Sequence, residues 1–424
     1  MPIPTRPEIV RSNRSTPNEA SALPSSAPTS LRVAIVVERY VPTGGGVEGV
    51  ASQVADALHR LGVDVTVLTR SADPRLVKDT RSGPKVQLIR VPSFWQPLRV
   101  AAFSRATAYA TSHRPFDVVH SFSRTRHQDL YRAGGGRHRD YLRHNYAADS
   151  PTLRRLRPLS PRHHTLLRIE EAVFRDPSQR IQCASKLVAD ALIGEQDVAP
   201  ERILLLPNAV DATRFGTDEA LSGGRRLRSE IDEKAERIWL FPASGWKRKG
   251  LSTLLEAFSR VRDPGLRLWI AGRDEPATWQ KIGANLGISE RIRFLGQRDD
   301  LETVYGAVDA MVLPTRYDAF ANVTLEAAAS GLPIITTETN GASEWLDGAL
   351  VVLDDAWNAD ALAEAMRALS DRDERRRLGA RAQAVARKMD WPTHAAALCE
   401  SYHQIVERRA KIREDPRRRP HVPR

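Results

Sequence analysis

Two cysteines, Cys183 and Cys399, are all that 424 residues provide, and they form no CxxC pair. A disulfide scaffold and a zinc ribbon are thereby excluded, and the usage fits a reducing compartment. No apolar run reaches the ~18 residues that a membrane span needs. The first thirty positions are rich in Pro, Ser and Asn and have no apolar h-region, so 1–30 reads as a disordered leader rather than a secretory signal. Negative charge is also short: 52 Asp+Glu face 64 Lys+Arg, a net of +12. That excess points to an anionic partner such as phosphate, nucleic acid or a membrane surface, and says nothing about fold.

The rest of the composition is ordinary for a globular chain, with 41% hydrophobic and 27% charged residues. The length favours two domains over one. Val33–Val37 is a continuous apolar run, the pattern of a strand buried on both faces of a parallel sheet. Gly44-Gly45-Gly46 follows, then Val50, Val54, Leu58 and Leu61 at helical spacing up to Gly62, then the strand Val65–Leu68. This is one βαβ unit. Further strands are expected at 86–91 and 118–122. A second series follows at 181–184, 203–206, 238–241, 268–271, 292–295, 310–313, 334–336 and 350–353, mostly separated by helical stripes such as Leu251, Leu254, Leu255, Phe258 and Val261. The expected fold is α/β, two doubly wound Rossmann-like domains in tandem.

Three loops carry chemistry. Gly44-Gly45-Gly46 sits between a strand and a helix start, where backbone can approach an anion closely, or where a tight turn simply needs glycine. It is not GxGxxG, and no acidic residue ends Val65–Leu68, which disfavours a nicotinamide enzyme. Gly245-Trp246-Lys247-Arg248-Lys249-Gly250 has the outline of a P-loop, but Leu251-Ser252 stands where Lys-Ser/Thr is required, so ATPase chemistry loses its support. Its three cations still suit a diphosphate. The third loop runs from Tyr317-Asp318-Ala319-Phe320-Ala321-Asn322 to Glu326, after the strand at 310–313. Free amides from Phe320 to Val323 at a helix start can bind phosphate or sugar oxygens, and carboxylates nearby can accept hydrogen bonds from vicinal hydroxyls. Asp371-Arg372-Asp373 matches a DxD metal pattern but reads as helix-start charge, and no other spacing argues for a metal.

The stretch Arg99–Arg180 holds sixteen arginines, no lysine, seven acidic residues and seven of the eleven histidines. It is either a solvated surface or a face turned to an anionic acceptor or membrane. Reversible, salt-sensitive membrane contact through the arginines is expected, and Leu166, Ile169 and Val173, on one face of a basic apolar stretch there, are the residues that apolar insertion would use instead. No nucleic-acid module or interleaved aromatic pattern accompanies it.

In order and spacing these pieces resemble a retaining GT-B glycosyltransferase of family 4. They are Gly44-Gly45-Gly46, Pro207-Asn208-Ala209-Val210-Asp211 with Phe215, Arg248-Lys249-Gly250 before Leu254–Phe258, Asp318 eight positions from Glu326, and Gly331-Leu332-Pro333. The compact Arg248-Lys249-Gly250 loop, and Val118-Val119-His120-Ser121-Phe122 followed by Asp129-Leu130-Tyr131, resemble the lipopolysaccharide core glucosyltransferase branch.

The resemblance implies transfer of a hexose-type sugar from a UDP-sugar to a glycan or glycolipid, with retention and without metal or cofactor. Position by position it implies Arg248, Lys249, Gly45 and Gly46 at the donor diphosphate, and the Phe320, Ala321, Asn322 and Val323 backbone at sugar or phosphate. Glu326 would hold the ribose, with Asp318 and His120 at the donor sugar and Asp129 at the acceptor. Implied domains are 31–205 on the acceptor side, 206–390 for the nucleotide sugar, a helix 391–412 crossing back, and a basic disordered tail 413–424. The expected location is the cytoplasm, at the inner face of the plasma membrane. Three departures stand out: Asp318 for the usual glutamate, Ser244 where many members have arginine, and Ala209 for a common glycine. The rival reading is a non-catalytic binder of anionic polymer or nucleic acid on a similar scaffold.

Overall fold

The computed structural model describes residues 31–41, 46–78, 83–92, 94–114, 116–147, 149–232 and 235–414. The leader 1–30, Gly44, Gly45 and positions 415–424 of the expected tail lie outside the described residues, whereas 413 and 414 end the last helix.

The first sheet contains β1 (Arg32–Tyr40), β2 (Asp64–Ala72), β3 (Lys85–Leu88), β4 (Val118–Ser121), β5 (Leu130–Arg132), β6 (Arg180–Cys183) and β7 (Ile203–Leu205). Among the described residues it is seven-stranded, in the order β3-β2-β1-β4-β5-β6-β7, with every pairing parallel. The second sheet contains β8 (Arg237–Pro242), β9 (Leu266–Ala271), β10 (Ile292–Gly296), β11 (Ala310–Leu313), β12 (Ile334–Thr337) and β13 (Val351–Leu353). Its order is β10-β9-β8-β11-β12-β13, again parallel. Around the first sheet lie α1 (Gly46–Arg60), α2 (Pro74–Lys78), α3 (Gln96–Ser112), α4 (His138–Asn145), α5 (Pro151–Leu156), α6 (Pro161–Arg175) and α7 (Lys186–Gln196). The remaining helices are α8 (Asp218–Asp232), α9 (Leu251–Arg260), α10 (Ala277–Asn285), α11 (Leu301–Ala307), α12 (Asn322–Ala329), α13 (Ala359–Ala368), α14 (Arg372–Ala386) and α15 (Trp391–Glu414).

The apolar runs form strands because helices cover both faces of each sheet, so every side chain of Val33–Val37 is buried. The α1 stripe of Val50, Val54 and Leu58 packs onto that strand. Gly62 then takes a φ of +85°, its amide donates to the His59 carbonyl at 2.9 Å, and the chain turns into β2. The helix α15 follows the second sheet in sequence yet packs on the first, where Ala395, Leu398, Tyr402 and Ile405 share a core with Val33, Ile35 and Leu58. The short buried strand β5 is an addition to the expected strands, because three residues are too few for a readable period.

The basic segment packs differently from the sequence expectation. Leu166 and Ile169 are buried against Val100, and Val173 is buried beside Phe174 and Ile181, so this stripe is core and is not available for insertion. The exposed leucines of the segment are Leu153, Leu156 and Leu159, at 50%, 53% and 68% exposure. They sit on α5, none of whose residues is buried, and on the turn that follows.

Each sheet reverses its strand order once, between β1 and β4 and between β8 and β11. Crevices at the carboxyl ends of such strands are where open α/β folds bind ligands. In the second sheet the loops leaving β8 and β11 hold Arg248, Lys249 and Asp318.

Candidate active site

The loop after β8 is shaped by its glycines. Gly245 and Gly250 take φ of +77° and +82°, where side chains with a Cβ are strained. A Cβ on Gly250 would lie 1.9 Å from the Pro314 carbonyl oxygen, so glycine lets this loop touch the loop after β11. The Asp274 carboxylate accepts from the Gly245 and Trp246 amides at 2.7 and 3.0 Å, and the buried Trp246 indole donates to the Ala243 carbonyl at 2.6 Å. On this anchored turn the Lys249 ammonium donates to Asp318 Oδ2, and Arg248 Nη1 lies 3.5 Å from the same oxygen while donating to the Tyr317 carbonyl.

Burial opposes ionisation of Asp318, but the Lys249 and Arg248 charges and the Lys249 and Phe320 hydrogen bonds outweigh it and hold the carboxyl below its ordinary range. Burial lowers the pKa of Lys249, an effect enhanced by Arg248 and opposed by Asp318.

The helix α12 starts at Asn322, a short loop after Asp318. Two of the four amides expected to be open are used internally. The Phe320 amide donates to Asp318 Oδ1 at 3.1 Å, and the Ala321 amide to Asn340 Oδ1 at 3.2 Å. Asn340 is fully buried and its amide donates to the hydroxyls of Thr324 and Thr336 at 2.8 and 3.0 Å. Asn322 and Val323, the first two helical positions, have amides with no partner among the described residues. One turn on, Glu326 Oε2 accepts from the Tyr305 hydroxyl at 3.1 Å. Burial raises the Glu326 pKa, against the Tyr305 hydrogen bond and the Arg214 charge. Two cations, two open amides and a desolvated carboxylate at one sheet edge can neutralise a phosphate ester and accept hydrogen bonds from hydroxyls.

On the first-sheet side, Gly46 opens α1 with a φ of +70° and, among the described residues, has no neighbour within 4 Å of where a Cβ would stand. Gly45 lies outside the described residues. Two expectations need correction. His120 has no exposure, its Nδ1 is hydrogen-bonded to the Tyr402 hydroxyl at 2.7 Å, and its ring packs on Phe122 at 4.5 Å. It is a buried core link between β4 and α15. Burial, with the Arg132 and His394 charges, drives its pKa down. Asp129 accepts from the Val119 amide at 2.8 Å and pairs with Arg409, which also donates to the Asp117 carbonyl. These partners lie at the amino end of β4, away from the ligand edge, so Asp129 braces α15 instead of meeting an acceptor.

Sequence reasoning missed a second glycine run, Gly134-Gly135-Gly136, whose own position between a strand and a helix was the available signal. Gly136 has a φ of +69°, and a Cβ there would lie 1.9 Å from the Tyr317 hydroxyl oxygen. Tyr317 thereby reaches the first-sheet side, where His144 of α4 stacks on it at 5.1 Å and 8°. Burial lowers the His144 pKa, with Arg143 and Arg248 adding to the shift and Asp140 opposing it. Other bonds join the halves beside this contact. Ser185 Oγ donates to the Ala319 carbonyl at 2.7 Å, and Glu344 accepts from the Lys186 and Leu187 amides at the start of α7 at 2.6 and 2.8 Å. Asn208 Nδ2 donates to Asn322 Oδ1 at 2.7 Å.

Among the described residues no three His, Cys, Asp or Glu side chains gather as a metal site. Asp371 of the DxD sequence caps α14, accepting from the Glu374 amide at 2.8 Å.

Comparison with known proteins adds the following. Residues 44–214 match the family model Glycosyltransferase Family 4, and residues 236–372 match Glycosyl transferases group 1. The chain is 27% identical over 432 residues to a D-inositol 3-phosphate glycosyltransferase of Corynebacterium glutamicum (strain R), covering 89% of this chain and 97% of that protein. The fold is similar to that of WaaG, a glycosyltransferase involved in lipopolysaccharide biosynthesis, with a TM-score of 0.73, 21% identity and coverage of 88% and 99%. It is also similar to Anabaena Alr3699/HepE in complex with UDP-glucose, with a TM-score of 0.64, 17% identity and coverage of 88% and 100%. These likenesses show a GT-B fold.

Proposed function

We propose that this chain, which matches the models Glycosyltransferase Family 4 over residues 44–214 and Glycosyl transferases group 1 over 236–372, moves a hexose-type sugar from a UDP-sugar to a glycan or glycolipid acceptor in cell-surface polysaccharide or lipopolysaccharide synthesis, with retention at the anomeric carbon and without metal or cofactor. The observation that carries this reading is the convergence of Lys249, Arg248, the open Asn322 and Val323 amides and Glu326 at one sheet edge. The UDP-glucose complex of the structurally similar HepE supports the donor, and the likeness to WaaG supports the acceptor class.

As the bond to the sugar breaks, negative charge grows on the β-phosphate. Lys249, Arg248 and the α12 amides, held in place before reaction, stabilise that charge more than they stabilise the bound donor. Glu326 accepts hydrogen bonds from the ribose, and Asp318 turns toward the donor sugar. Gly46 lines the facing side of the cleft. Attack comes from the face the leaving group departs, with the donor phosphate taking the acceptor proton. In this reading 31–205 is the acceptor-side domain, 206–390 holds the nucleotide sugar, and 391–412 crosses back.

The acceptor side includes the reversible membrane contact. Leu153, Leu156 and Leu159 stand exposed beside the exposed Arg154 and Arg155, a composition suited to the anionic inner face of a plasma membrane. Among the described residues no helix is long and apolar enough to cross a membrane. A screen of nucleotide sugars against acceptors, with mass-spectrometric detection and a parallel series in excess chelator, tests the proposal. Transfer from a UDP-sugar that survives chelation is the expected result. Activity restored only by a divalent ion would overturn the metal-free mechanism, and absence of any transfer would favour a binding protein.

A further inference from the structure

One buried charge takes no part in that chemistry. Arg132 of β5 is 3% exposed, and among the described residues no carboxylate lies within ion-pair distance of it. Its Nε has no hydrogen-bond partner. Its neighbours are the Phe122 ring, 5.3 Å from the guanidinium carbon, the imidazoles of His120 and His394, both with lowered pKa, and the Cys183 thiol, pushed up by burial. None of these supplies a negative charge at neutral pH. Burial lowers the Arg132 pKa to about 10, which leaves it charged there. An unpaired buried cation is costly to a fold.

Its geometry is closely held. A Cβ on Gly134 would fall 1.7 Å from Nη1, so the glycine backbone lies directly on the guanidinium. Nη2 donates to Asn208 Oδ1 at 2.6 Å. Because a guanidinium only donates, Asn208 must present its oxygen to Arg132 and its Nδ2 to Asn322, whose Oδ1 accepts at 2.7 Å. An Asn at a helix start would otherwise be free to turn its oxygen onto a nearby backbone amide. Held by Asn208, Asn322 Oδ1 is kept off the amides of Asn322 and Val323, the two that are open.

We propose that Arg132 is a positioning residue for the donor diphosphate: acting through Asn208 it holds Asn322, keeps the first amides of α12 open, and turns its uncompensated charge toward an anion bound there. The proposal rests on the nucleotide-sugar reading above. It makes part of the donor site depend on the first sheet, although the donor loops leave the second.

The test is calorimetric titration of the full chain with UDP and with uridine, for wild type, Arg132→Met, Arg132→Lys, Asn208→Ala, Asn322→Ala and the double variant Arg132→Met/Asn322→Ala. UDP should weaken about tenfold or more in Arg132→Met, the scale of a lost charge-assisted contact, while uridine moves by less than about twofold. Arg132→Lys should recover part of the loss, and the double variant should lose less than the two single losses combined. Unchanged UDP affinity in folded Arg132→Met, equal weakening of UDP and uridine, or fully additive losses would overturn the relay. If Arg132→Met does not fold, Asn208→Ala breaks the same link with the charge in place, and wild-type UDP affinity there would overturn it as well. Wild type that binds neither UDP nor any other nucleoside diphosphate removes the nucleotide reading itself, an outcome distinct from a failed relay.

Discussion

The Asp318 carboxylate after β11 and the Lys249 ammonium after β8 form an ion pair largely withdrawn from water, with Arg248 on the same carboxylate oxygen. Without donor, the cations proposed for the diphosphate are thus held by an internal anion. A diphosphate that takes them must displace or share that carboxylate, which frees Asp318 to meet the transferred sugar.

Asp318→Asn is expected to bind UDP more tightly than wild type while transfer falls by about two orders of magnitude, the scale of losing a positioning contact. Calorimetry and initial rates separate the two effects. Stability should move with pH as well. The Asp318 carboxyl is held below its ordinary range, so its pairing stabilises the fold above the unfolded-state pKa of ~3.9 and is lost as pH falls through the lower folded value. Wild type should therefore melt higher than Asp318→Asn at neutral pH, with the gap closing in acid.

Glu326→Gln should cut transfer by about a hundredfold and yet raise the melting temperature at pH 7. Burial raises the Glu326 pKa, so ionisation costs stability as pH rises from the unfolded value of ~4.3 to the folded one, and glutamine removes that cost. The gain should vanish below about pH 4. A variant less stable than wild type at neutral pH would show that the Tyr305 bond outweighs desolvation.

Arg248→Ala and Lys249→Ala should weaken UDP and leave uridine nearly unchanged, because both are fixed cations on a strand-to-helix loop and such cations act on phosphate charge. Lys249→Glu should be worse than alanine, since repulsion adds to the lost contact. Equal effects on UDP and uridine would put these residues away from the phosphates.

Gly136→Ala should destabilise the fold by about 1–3 kcal/mol and depress transfer, since a Cβ at positive φ would drive into Tyr317. Chemical denaturation measures the first effect. Wild-type stability would mean that the Tyr317 ring moves aside without cost.

Liposome co-sedimentation over a salt series tests the membrane contact. Arg154 and Arg155 should give binding to anionic vesicles at low salt, each near-surface cation contributing roughly 1 kcal/mol, with release at high salt. Replacing Leu153, Leu156 and Leu159 with serine should remove any salt-resistant fraction. No preference for anionic over neutral vesicles would make the arginines a solvated surface.

The loops of the second sheet were legible in the sequence because local rules place them. Positive-φ glycines bracket Arg248 and Lys249, and Asp318 and Glu326 flank the start of one helix, so strand, turn and helix order alone brings them to the carboxyl edge. His120 and Asp129 were misread for a related reason. Sequence puts both near the end of an early strand, but says nothing about which edge or depth a side chain occupies. Tyr402 and Arg409, more than 250 residues later, settled that by packing α15 on them. The stripe Leu166, Ile169, Val173 has the same period whether it faces lipid or core, and only the position of α3 and β6 decides.

The α/β class, the strand series and the cation and carboxylate loops follow from local sequence alone, because apolar period, turn glycines and helix starts act over a few residues. The tertiary structure decided what crosses from one sheet to the other: Tyr317 stacked on His144 over Gly136, and Arg132 tied through Asn208 to Asn322. Such contacts join residues far apart in the chain, 76 positions from Arg132 to Asn208 and 114 from Asn208 to Asn322, and their closure depends on the packing of whole domains, which no local pattern encodes.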